Sequence, residues 1–446
     1  MQVYENAPVV ASSDVVVVGG GPAGVTAAVS AARNGASVTL VERYGYLGGL
    51  ASGGMVLVLD DMVNGAEVTV RGLVTEYVDR MERLGLAVKP PAQDLGFDAD
   101  AVRRWRRWGL YDFQHRGEPK PIVHAVAFDP DAWKRVSNDL VREAGITLRL
   151  HSWFVDTIVS DRRVCGVVVH TKGGPQRIDG AVVIDATGDA DVAAAAGAPF
   201  QHGRYILTTV FRLGGVDADA AERFELEHPA EASRLNRQAK RLLGGAWELW
   251  WLRTPLPGIV WCNCPHLNGF DGVDAGDLTR AELAGRDRIY ALVDFARANL
   301  AGFERCYVVD VAPQIGVRQT RLLRGEYVVT KSDIAERRHF RDSVARGRDY
   351  YTPYRALLPL GVEQLLVAGR HYSAEPAAQR ISREIPPCMS MGEAAGVAAV
   401  VALDEGIAVR EVDVSVVQSR LRAQGHDPGD VPSANATVGE FSQVSA

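Results

Sequence analysis

A glycine-rich segment near the start of the chain restricts the fold more than any other part of the sequence. It reads DVVVVGGGPAGVTAAVSAARNGASVTLVER over residues 14–43, and four consecutive valines lead directly into G-x-G-x-x-G. A continuous β-branched run is typical of a strand buried on both faces. Small residues at helical spacing follow, and then a second apolar run. The segment therefore predicts the βαβ unit of a dinucleotide-binding sheet.

The glycines of this turn have separate roles in such a unit. Gly19 permits the tight turn, Gly21 lets the backbone approach a pyrophosphate, and Gly24 lets the helix pack closely on the strand. Glu42 ends the second strand, where its carboxylate would accept hydrogen bonds from the ribose hydroxyls and repel a 2′-phosphate. NADP is therefore disfavoured, whereas NAD and FAD share all of these features.

Length and composition limit the class of protein. The 446 residues are too many for one simple core and favour two intertwined domains or one large domain with an inserted one. A net charge of −6 gives no footprint for nucleic acid. Five cysteines are too sparse for a disulfide framework and suit a reducing compartment. We see no basic start typical of a signal peptide and no uninterrupted apolar segment of roughly 18 to 20 residues. We expect a cytoplasmic protein with no nucleic-acid partner and no membrane partner.

Two later segments add strands that would join the same sheet. AVVIDATGDADVAAAAGAP, residues 181–199, is a buried strand that runs into Ala-Thr-Gly-Asp. QLLVAGRHYSAEP, residues 364–376, is another strand, which closes on Gly-Arg. The segment PPCMSMGEAAGVAAVVALDEG, residues 386–406, then predicts a helix introduced by proline. Its many small residues would let this helix lie close against a neighbour.

In this order the segments resemble the FAD-dependent oxidoreductases of the glutathione-reductase-like superfamily, specifically the fumarate-reductase-like branch. The resemblance covers nearly the whole length. It is also carried by the doublet Gly48-Gly49, by FDPDAWKRVSNDLVREAGI at 128–146, by IGVRQTRLLRGEYVVT at 315–330 and by C-x-x-M-G-x-A-A-G from Cys388. It implies an α/β fold with a Rossmann-like FAD-binding domain, in which helices flank a parallel sheet, and it implies FAD as the cofactor.

The resemblance also implies which residues would bind FAD. The first glycine motif and Glu42 would hold the ADP half, and Val155 would present its backbone to the adenine. Residues 188–189 would pass near the pyrophosphate, and residues 369–370 near the ribityl-phosphate arm. A helix beginning around Met389 would direct its positive N-terminal dipole at the pyrimidine edge of the isoalloxazine. The predicted cofactor-binding residues are Gly19, Gly21, Pro22, Ala23, Gly24, Glu42, Arg43, Gly48, Gly49, Val155, Ala186, Thr187, Gly188, Asp189, Gly369, Arg370, Met389 and Met391.

The same motifs divide the chain into domains. We expect a discontinuous FAD-binding domain (1–60, 122–205 and 356–408) and a helical insertion (61–121). We also expect a mixed α+β substrate domain (206–355) and a C-terminal extension with a mobile tail (409–446). Within the insertions, the Arg- and Trp-rich run 103–108 and the helically spaced Trp247, Trp250 and Trp251 could face a substrate, although packing explains both patterns.

Three residues are candidates for catalysis. His371 and Tyr372 follow the strand that ends near residue 370, at the edge where α/β sites assemble. His371 could act as a general acid or base, or could be a hydrogen-bonded wall residue. Arg383 precedes the flavin-facing helix and could hold a carboxylate or take part in a salt-bridged loop. At the start of this helix the thiol pKa of Cys388 would fall, but the resemblance has cysteine here and favours a packing role.

Two further patterns concern metals and electron donors. Cys262, Cys264 and His266 supply three nearby ligands without a second pair, so we expect no metal site. We find no second G-x-G-x-x-G after a strand, so the inserted NAD(P)H domain of disulfide reductases is missing. Electrons would come from or go to the substrate, oxygen, a transient nicotinamide or another protein.

We expect an FAD-dependent oxidoreductase that moves a hydride equivalent to or from a C–C, C–O or C–N bond of a small organic metabolite. The metabolite would bind between the FAD-binding domain and the substrate domain. Two alternatives stay open: an oxygen-using flavin monooxygenase or oxidase, and an electron-transfer flavoprotein subunit without a substrate of its own. The sequence leaves open the substrate, the direction of hydride transfer, any external electron donor or acceptor, and the oligomeric state.

Overall fold

The computed structural model describes residues 7–65, 67–244 and 249–438 of the chain. Within these ranges the strands are β1 (Val9–Val18), β2 (Val38–Val41), β3 (Val58–Leu59), β4 (Val63–Asn64), β5 (Glu67–Val68), β6 (Ala87–Val88), β7 (Val126–Phe128), β8 (Thr147–Arg149), β9 (Trp153–Ser160), β10 (Arg163–Thr171), β11 (Gly174–Asp185), β12 (Phe200–His202), β13 (Leu207–Thr208), β14 (Phe211–Gly214), β15 (Trp251–Arg253), β16 (Val260–Cys262), β17 (His266–Leu267), β18 (Tyr307–Val311), β19 (Gly316–Val317), β20 (Arg321–Leu323), β21 (Arg338–His339), β22 (Ser343–Arg346), β23 (Tyr351–Pro353), β24 (Leu365–Val367) and β25 (Thr437–Val438). The α-helices are α1 (Pro22–Arg33), α2 (Gly49–Ser52), α3 (Leu73–Arg83), α4 (Ala99–Trp105), α5 (Pro130–Glu143), α6 (Asp191–Ala195), α7 (Ala218–Glu227), α8 (Pro229–Leu242), α9 (Ala275–Asn299), α10 (Lys331–Ala335), α11 (Pro376–Ser382), α12 (Ile385–Glu405) and α13 (Val414–Ala423). Short 3₁₀ helices lie at Ala92–Asp94, Arg106–Trp108, Tyr354–Leu357 and Val409–Glu411.

The largest sheet is built around the predicted βαβ unit. Its strand order is β8-β2-β1-β11-β10-β9, and β24 also pairs with β11. β8, β2, β1, β11 and β24 run parallel, whereas β10 and β9 add antiparallel strands to the first half of β11. The four valines at residues 15–18 are at most 2% exposed, as a strand covered on both faces requires. The α/β class with a mixed, mainly parallel sheet is therefore confirmed.

Helices α1 and α12 pack directly against each other beside this sheet. A Cβ on Gly392 would lie 2.2 Å from the carbonyl oxygen of Ala23, so only a residue without a side chain fits there. The hydroxyl of Thr26 donates a hydrogen bond of 2.9 Å to the carbonyl oxygen of Met389. The small residues of α12 thus allow the close approach that the sequence predicted.

Helix α12 begins earlier than the sequence predicted. We expected a start around Met389, but the helix begins at Ile385 with Glu384 as its N-cap residue. Proline tolerates the first helical positions because their N–H groups lack intrahelical partners, so the two prolines belong to the helix rather than precede it. Met389 and Met391 therefore lie within the helix, and their side chains are 0% and 1% exposed.

The chain between β11 and β24 forms a second core. β15, β16, β14 and β18 make an antiparallel sheet, on which apolar residues such as Phe211 pack with residues of α9. The buried guanidinium of Arg212, in β14, joins this core to the first one. It pairs with Asp129, which caps α5, at 2.9 Å and with Asp310 at 2.5 Å. A mixed α+β part thus lies against the N-terminus of α5.

The insertion at 61–121 contains strands as well as helices, and its Arg- and Trp-rich run packs against neighbouring elements. The carboxylate of Asp94 accepts hydrogen bonds from Arg104 at 2.6 Å and from the indole N–H of Trp105 at 2.7 Å. Arg107 pairs with Glu225. These ion pairs and hydrogen bonds account for the run without a bound ligand.

The prediction that three tryptophans share a helix face is wrong for the two that the structure describes. Trp251 begins β15 and pairs with Cys262 of β16, and Trp250 directly precedes that strand. Aromatic residues fit a pleated sheet well, so pairing with β16 overrode the helical spacing. Trp247 lies outside the described residues.

The segment predicted as a mobile tail is partly ordered. The hydroxyl of Ser343 donates a hydrogen bond of 2.8 Å to the carbonyl oxygen of Pro428, and β25 pairs with β21. Residues 439–446 of this prediction lie outside the described residues.

Among the described helices, α12 is the one long and apolar enough to cross a membrane, a property that we did not expect from the sequence. All of the 18-residue window that meets this criterion is buried inside the protein. Contact with the rest of the fold therefore accounts for its apolar composition.

Candidate functional site

A cavity of about 390 Å³ opens at the carboxyl ends of β1, β11 and β24. Its wall includes the turn before α1, the start of α12, the beginning of β9, and Gln314 from the second half of the chain. In open α/β sheets ligands bind at this edge, and the volume lies within the usual range for small-molecule sites. We therefore take the cavity as the candidate active site.

Most residues predicted to bind the cofactor line this cavity. They are Gly19, Gly21, Pro22, Ala23, Glu42, Arg43, Gly49, Val155, Ala186, Thr187, Gly188, Gly369 and Arg370. The remaining ones, Gly24, Gly48, Asp189, Met389 and Met391, are not part of the wall. Direct contact with a cofactor stays a prediction for every member of both groups.

The glycine turn has the shape that a phosphate site needs. Gly19 has a φ of +106°, and a Cβ added to Gly24 would lie 1.7 Å from the carbonyl oxygen of Gly19. A Cβ on Gly21 would meet no protein atom closer than 3.9 Å and would instead fill the cavity. Gly21 caps α1 without a side-chain hydrogen bond, and the first turn carries no acidic residue. The free N–H groups and the positive dipole end therefore favour an anion there.

Glu42 fixes the turn as well as lining the cavity. One carboxylate oxygen accepts a hydrogen bond of 2.7 Å from the N–H of Gly20, and the other accepts one of 2.8 Å from the N–H of Tyr44. Burial raises the pKa of Glu42, although both backbone hydrogen bonds act against this shift. The carboxylate retains lone pairs for further donors such as ribose hydroxyls.

An aromatic wall that the sequence analysis missed surrounds the predicted adenine end. Tyr44, Trp153 and Phe154 line the cavity beside Val155. The guanidinium of Arg43 lies 5.1 Å from the ring centre of Tyr44 and 5.7 Å from that of Trp153. The aromatic pair Trp153-Phe154 at the start of a predicted strand is the signal that could have identified this wall.

Asp189 lies outside the cavity wall and binds a residue of that wall. Its carboxylate accepts hydrogen bonds from Arg370 at 2.9 Å and from the hydroxyl of Thr320 at 2.7 Å. Burial alone would raise the pKa of Asp189, but the charge of Arg370 and these hydrogen bonds outweigh burial and lower it. Asp189 therefore stays ionised and holds Arg370 in position.

The predicted catalytic residues His371 and Tyr372 do not reach the cavity. Both side chains are 0% exposed, and neither belongs to the cavity wall. The imidazole of His371 lies 3.2 Å from a carboxylate oxygen of Asp185, whose buried charge needs such partners. The hydroxyl of Tyr372 lies 2.6 Å from that of Ser382. The position after a strand end was predicted correctly, but these side chains turn into the core, and a catalytic role for either residue stays a prediction.

Arg383, the third catalytic candidate, does line the cavity, at the end formed by α12. It pairs with Glu384 at 3.1 Å, and Glu384, Ile385 and Cys388 continue the wall. Burial raises the pKa of the Cys388 thiol to about 12, contrary to the lower pKa expected at a helix start. Desolvation of the thiolate outweighs the helix dipole here, so Cys388 is a neutral wall residue.

Asp60 is a further residue that the sequence analysis missed. Burial, and then the negative charge of Glu384, raise its pKa to about 7. Nearby positive charges on Arg383 and Arg348 act in the opposite direction. The pair of acids that follows the apolar run VLVL was the available signal, because carboxylates directly after a buried strand face desolvation.

Several polar atoms of the cavity wall lack partners. Among the described residues, Gln314 Oε1, Arg370 Nε and Arg383 Nε are buried and make no hydrogen bond. Buried polar groups in native proteins are nearly always satisfied, so each unpaired atom calls for an explanation. A polar ligand in the cavity would supply partners at both the strand end and the α12 end.

The absence of a metal site at the cysteine-rich segment stays a prediction. No group of three or more His, Cys, Asp or Glu side chains is placed, within the described part of the chain, to hold a metal ion. Burial raises the pKa of Cys262 and of Cys264, the latter to about 12, which disfavours the thiolates that metals bind. His266 Nε2 lies 2.8 Å from a guanidinium nitrogen of Arg318.

The chain matches a family model over most of its length. That model is described as FAD dependent oxidoreductase, and the match covers residues 14–350 and 346–421. Thiamine thiazole synthase from Aeropyrum pernix is 34% identical over 188 residues, which are 40% of this chain and 54% of that protein. The chain therefore spans about half the length of this curated relative.

Two solved structures resemble nearly the whole chain. A geranylgeranyl bacteriochlorophyll reductase-like protein from Thermoplasma acidophilum has a TM-score of 0.50 and 15% identity, and the likeness covers 93% of this chain and 83% of that one. A triple mutant of the flavin-dependent brominase Bmp2 has a TM-score of 0.50 and 14% identity, covering 93% and 84% respectively. At such identities the likeness shows the fold alone.

Proposed function

The chain belongs to the FAD dependent oxidoreductase family, and from that premise we propose that it moves a hydride equivalent to or from a C–C, C–O or C–N bond of a small organic metabolite. One observation carries the proposal. The cavity joins an anion-binding turn and Glu42 at one end to charged side chains, Arg383 and Glu384, at the other. A dinucleotide held at the first end would place its reactive ring among groups that can bind and protonate a polar substrate.

The residues of the cavity fit FAD. The space in front of Gly21, the uncapped start of α1 and the unpaired wall atoms match its pyrophosphate and polar ring edges. Bound there, FAD would supply the exchange of two electrons with the substrate. Glu42 would hold the ribose. The N-terminus of α12 would favour negative charge on the ring, because the helix dipole is positive at that end.

Glu384, in the cavity wall, would take up the proton that accompanies the hydride, and Asp60, outside the wall, would act through Glu384. Oxidation of a C–O or C–N bond releases a proton from the heteroatom, and an effective base has a pKa near the working pH. Glu384 lines the cavity, and its charge helps to hold the pKa of Asp60 at about 7. Two neighbouring carboxyls can receive and retain one proton between them.

Several finer assignments belong to this proposal. We place the chain in the fumarate-reductase-like branch of the glutathione-reductase-like superfamily on the order of its motifs. We also propose the discontinuous FAD-binding domain with its separate substrate domain. Support comes from the sheet, whose strands are drawn from residues 9–18, 38–41, 147–185 and 365–367. A cytoplasmic location, a small-molecule substrate, an external electron donor or acceptor, and no nucleic-acid or membrane partner complete the proposal.

The first test asks for the cofactor and its reactivity. The purified protein should be yellow, release FAD on denaturation, and lose flavin absorbance under anaerobic conditions with a metabolite or a reduced electron donor. A colourless protein that takes up no added FAD would overturn the proposal.

A second measurement separates the proposed function from its alternatives. Oxygen should reoxidise the reduced protein slowly and should not enter the product. Fast oxygen consumption, with an oxygen atom from O₂ in the product or with hydrogen peroxide released, would favour the monooxygenase or oxidase. Reduction by a partner flavoprotein alone, with no metabolite able to bleach the flavin, would favour the electron-transfer subunit.

A further inference from the structure

A buried acid and a buried histidine face each other beside the middle of α12. Glu393 belongs to α12, His426 follows α13, and each residue is 2% exposed. The imidazole Nδ1 of His426 lies 3.5 Å from a carboxylate oxygen of Glu393. Neither residue lines the cavity, and the proposed reaction uses neither of them. Because ionisable groups are costly to bury, this pair needs an explanation of its own.

The contacts of the imidazole determine where its hydrogens lie. Nε2 lies 3.2 Å from the carbonyl oxygen of Val344, which can only accept, so Nε2 carries a hydrogen. In a neutral ring Nδ1 would then present a lone pair to the carboxylate of Glu393. Nδ1 is buried, and no other described residue gives it a hydrogen bond. Two acceptors would thus face each other away from solvent, unless a proton lies between Nδ1 and the carboxylate.

The start of α3 favours the ionised form of Glu393. The N-cap residue of α3, Gly72, has no side chain to cap the helix, and a Cβ there would lie 2.7 Å from one carboxylate oxygen of Glu393. The other carboxylate oxygen, which is the one nearest Nδ1, accepts a hydrogen bond of 2.9 Å from the N–H of Leu73. A helix N-terminus stabilises a negative charge placed in this way. The proton therefore lies on His426, and the two residues form a buried ion pair.

Charged side chains on the elements around this pair form ion pairs of their own. These join Arg33 and Arg80 to Glu76, Arg346 to Asp427, and Arg420 to Asp404. The hydrogen bonds to Glu76 raise the pKa of Arg33, and the charge of Glu393 adds to this shift. Burial lowers the pKa of His339, which lies beside the same segment, so that ring is neutral. Arginine keeps its charge near neutral pH, so none of these cations titrates where a histidine ordinarily does.

We infer that Glu393 and His426 share one buried proton, which holds residues 426–438 against α12 and releases them as the pH rises. The residues after His426 are held next to the pair, because Asp427 pairs with Arg346 at 2.8 Å and Ser343 donates a hydrogen bond to the carbonyl oxygen of Pro428. Loss of the proton would leave a buried carboxylate facing a lone pair, and opening the segment would let water reach both.

The sign of the pH dependence follows from counting protons. The unfolded chain releases a histidine proton at about pH 6.5, whereas the folded protein keeps this one to higher pH. The contribution of the pair to stability is therefore complete below about pH 6.5 and is lost as the pH rises above that value.

Urea unfolding of the purified protein and of Glu393→Gln, both with saturating FAD, tests this inference between about pH 7 and pH 8. The glutamine amide can donate to Nδ1 while its oxygen accepts from Leu73, so this variant needs no proton. For each pH unit the unfolding equilibrium constant of the wild type should rise about tenfold more than that of the variant, which is the effect of one bound proton. Asp60 is present in both proteins, so its titration cancels in the comparison. Glu405→Gln, at the exposed end of α12, is the matched control and should keep the wild-type slope.

A spectroscopic measurement locates the proton directly. At about pH 7.5 the ¹⁵N chemical shifts of the His426 ring, assigned by comparison with His426→Gln, should be those of an imidazolium in the wild type. In Glu393→Gln they should be those of a neutral ring with its hydrogen on Nε2. Hydrogen exchange at the amides of residues 424–430, corrected for its intrinsic rate, should increase towards pH 9 more in the wild type than in this variant.

Two results would overturn the inference. One is a neutral His426 ring in the wild type at about pH 7.5, and the other is an equal pH dependence of unfolding in the wild type and Glu393→Gln. If Glu393→Gln fails to fold, the ring shifts and the amide exchange of the wild type still decide the question. None of these measurements depends on the reaction that the cavity performs, so failure of the proposed function would leave this test intact.

Discussion

Asp60 links stability to the proposed proton transfer at the scale of a single residue. Because its folded pKa of about 7 lies above the ordinary value, the protonated form stabilises the fold below about pH 4, and that contribution is lost as the pH rises through 7. Asp60→Asn imitates the protonated form. We expect it to raise the free energy of unfolding at pH 8 by on the order of 2–4 kcal/mol, with little change at pH 4, while slowing flavin reduction. Urea unfolding at both pH values checks this, and equal pH dependence in both proteins would contradict it.

Glu42 allows a test of the cofactor end of the cavity. Glu42→Ala removes the acceptor for two backbone N–H groups and for the proposed ribose contact. We expect the affinity of the apoprotein for FAD to fall by about 10- to 100-fold, measured by fluorescence quenching. Glu405→Ala, at an exposed position near the end of α12, is the control and should bind FAD like the wild type. Unchanged FAD affinity in Glu42→Ala would refute the assignment of this end.

Residues predicted from local spacing lie where the sequence placed them, whereas residues that depend on long-range contacts do not. Gly19, Gly21 and Glu42 line the cavity because a strand, turn and helix in direct succession determine their positions. His371 follows the correct strand, yet the sequence does not say that its side chain turns towards Asp185. Burial, and then the charge of Glu384, raise the pKa of Asp60; the local sequence indicates the burial, but it cannot reveal Glu384, which is distant in sequence.

At the scale of elements, the contact between α1 and α12 is the most sensitive to added volume. Gly392→Ala would place a methyl group 2.2 Å from the carbonyl oxygen of Ala23 and force the helices apart. We expect a loss of about 1–3 kcal/mol in stability, together with weaker FAD binding, because both helix N-termini lie at the cavity. Thermal unfolding and FAD retention measure the two effects.

The control for this variant is Gly276→Ala, in the exposed first turn of α9. Alanine is the better helix former, so this change should be neutral or slightly stabilising. If Gly392→Ala is as stable and retains FAD as well as Gly276→Ala, the contact between α1 and α12 has room for a methyl group.

The elements themselves were predictable to different extents. The βαβ unit, β11 and β24 were recognised because apolar runs and glycines mark them clearly. The start of α12 was misplaced because a proline pair can precede a helix or belong to its first turn. The strand that begins at Trp251 was predicted as a helix because the spacing of its tryptophans fits a helix. In so short a segment, only pairing with β16 shows that it is a strand.

For the whole molecule, removal of FAD should lower stability through mass action. A ligand that binds only the folded state adds about 4 kcal/mol when present at a thousand times its dissociation constant. We expect the apoprotein to unfold at a lower temperature and to recover on addition of FAD in a concentration-dependent manner. Differential scanning calorimetry checks this, with NADP as a control that should not restore stability. Identical unfolding temperatures with and without FAD would contradict the binding of FAD to the folded protein.

The carboxylate of Asp189 touches both halves of the proposed reaction site. It holds Arg370 in the cavity wall and, through Thr320, the segment that carries the wall residue Gln314. Occupancy of the pocket beside Arg370 would therefore stiffen this segment of the wall before a substrate arrives. Loading would then follow a compulsory sequence, with the dinucleotide first and the substrate second, and binding measurements would show the substrate unable to bind the protein without its dinucleotide.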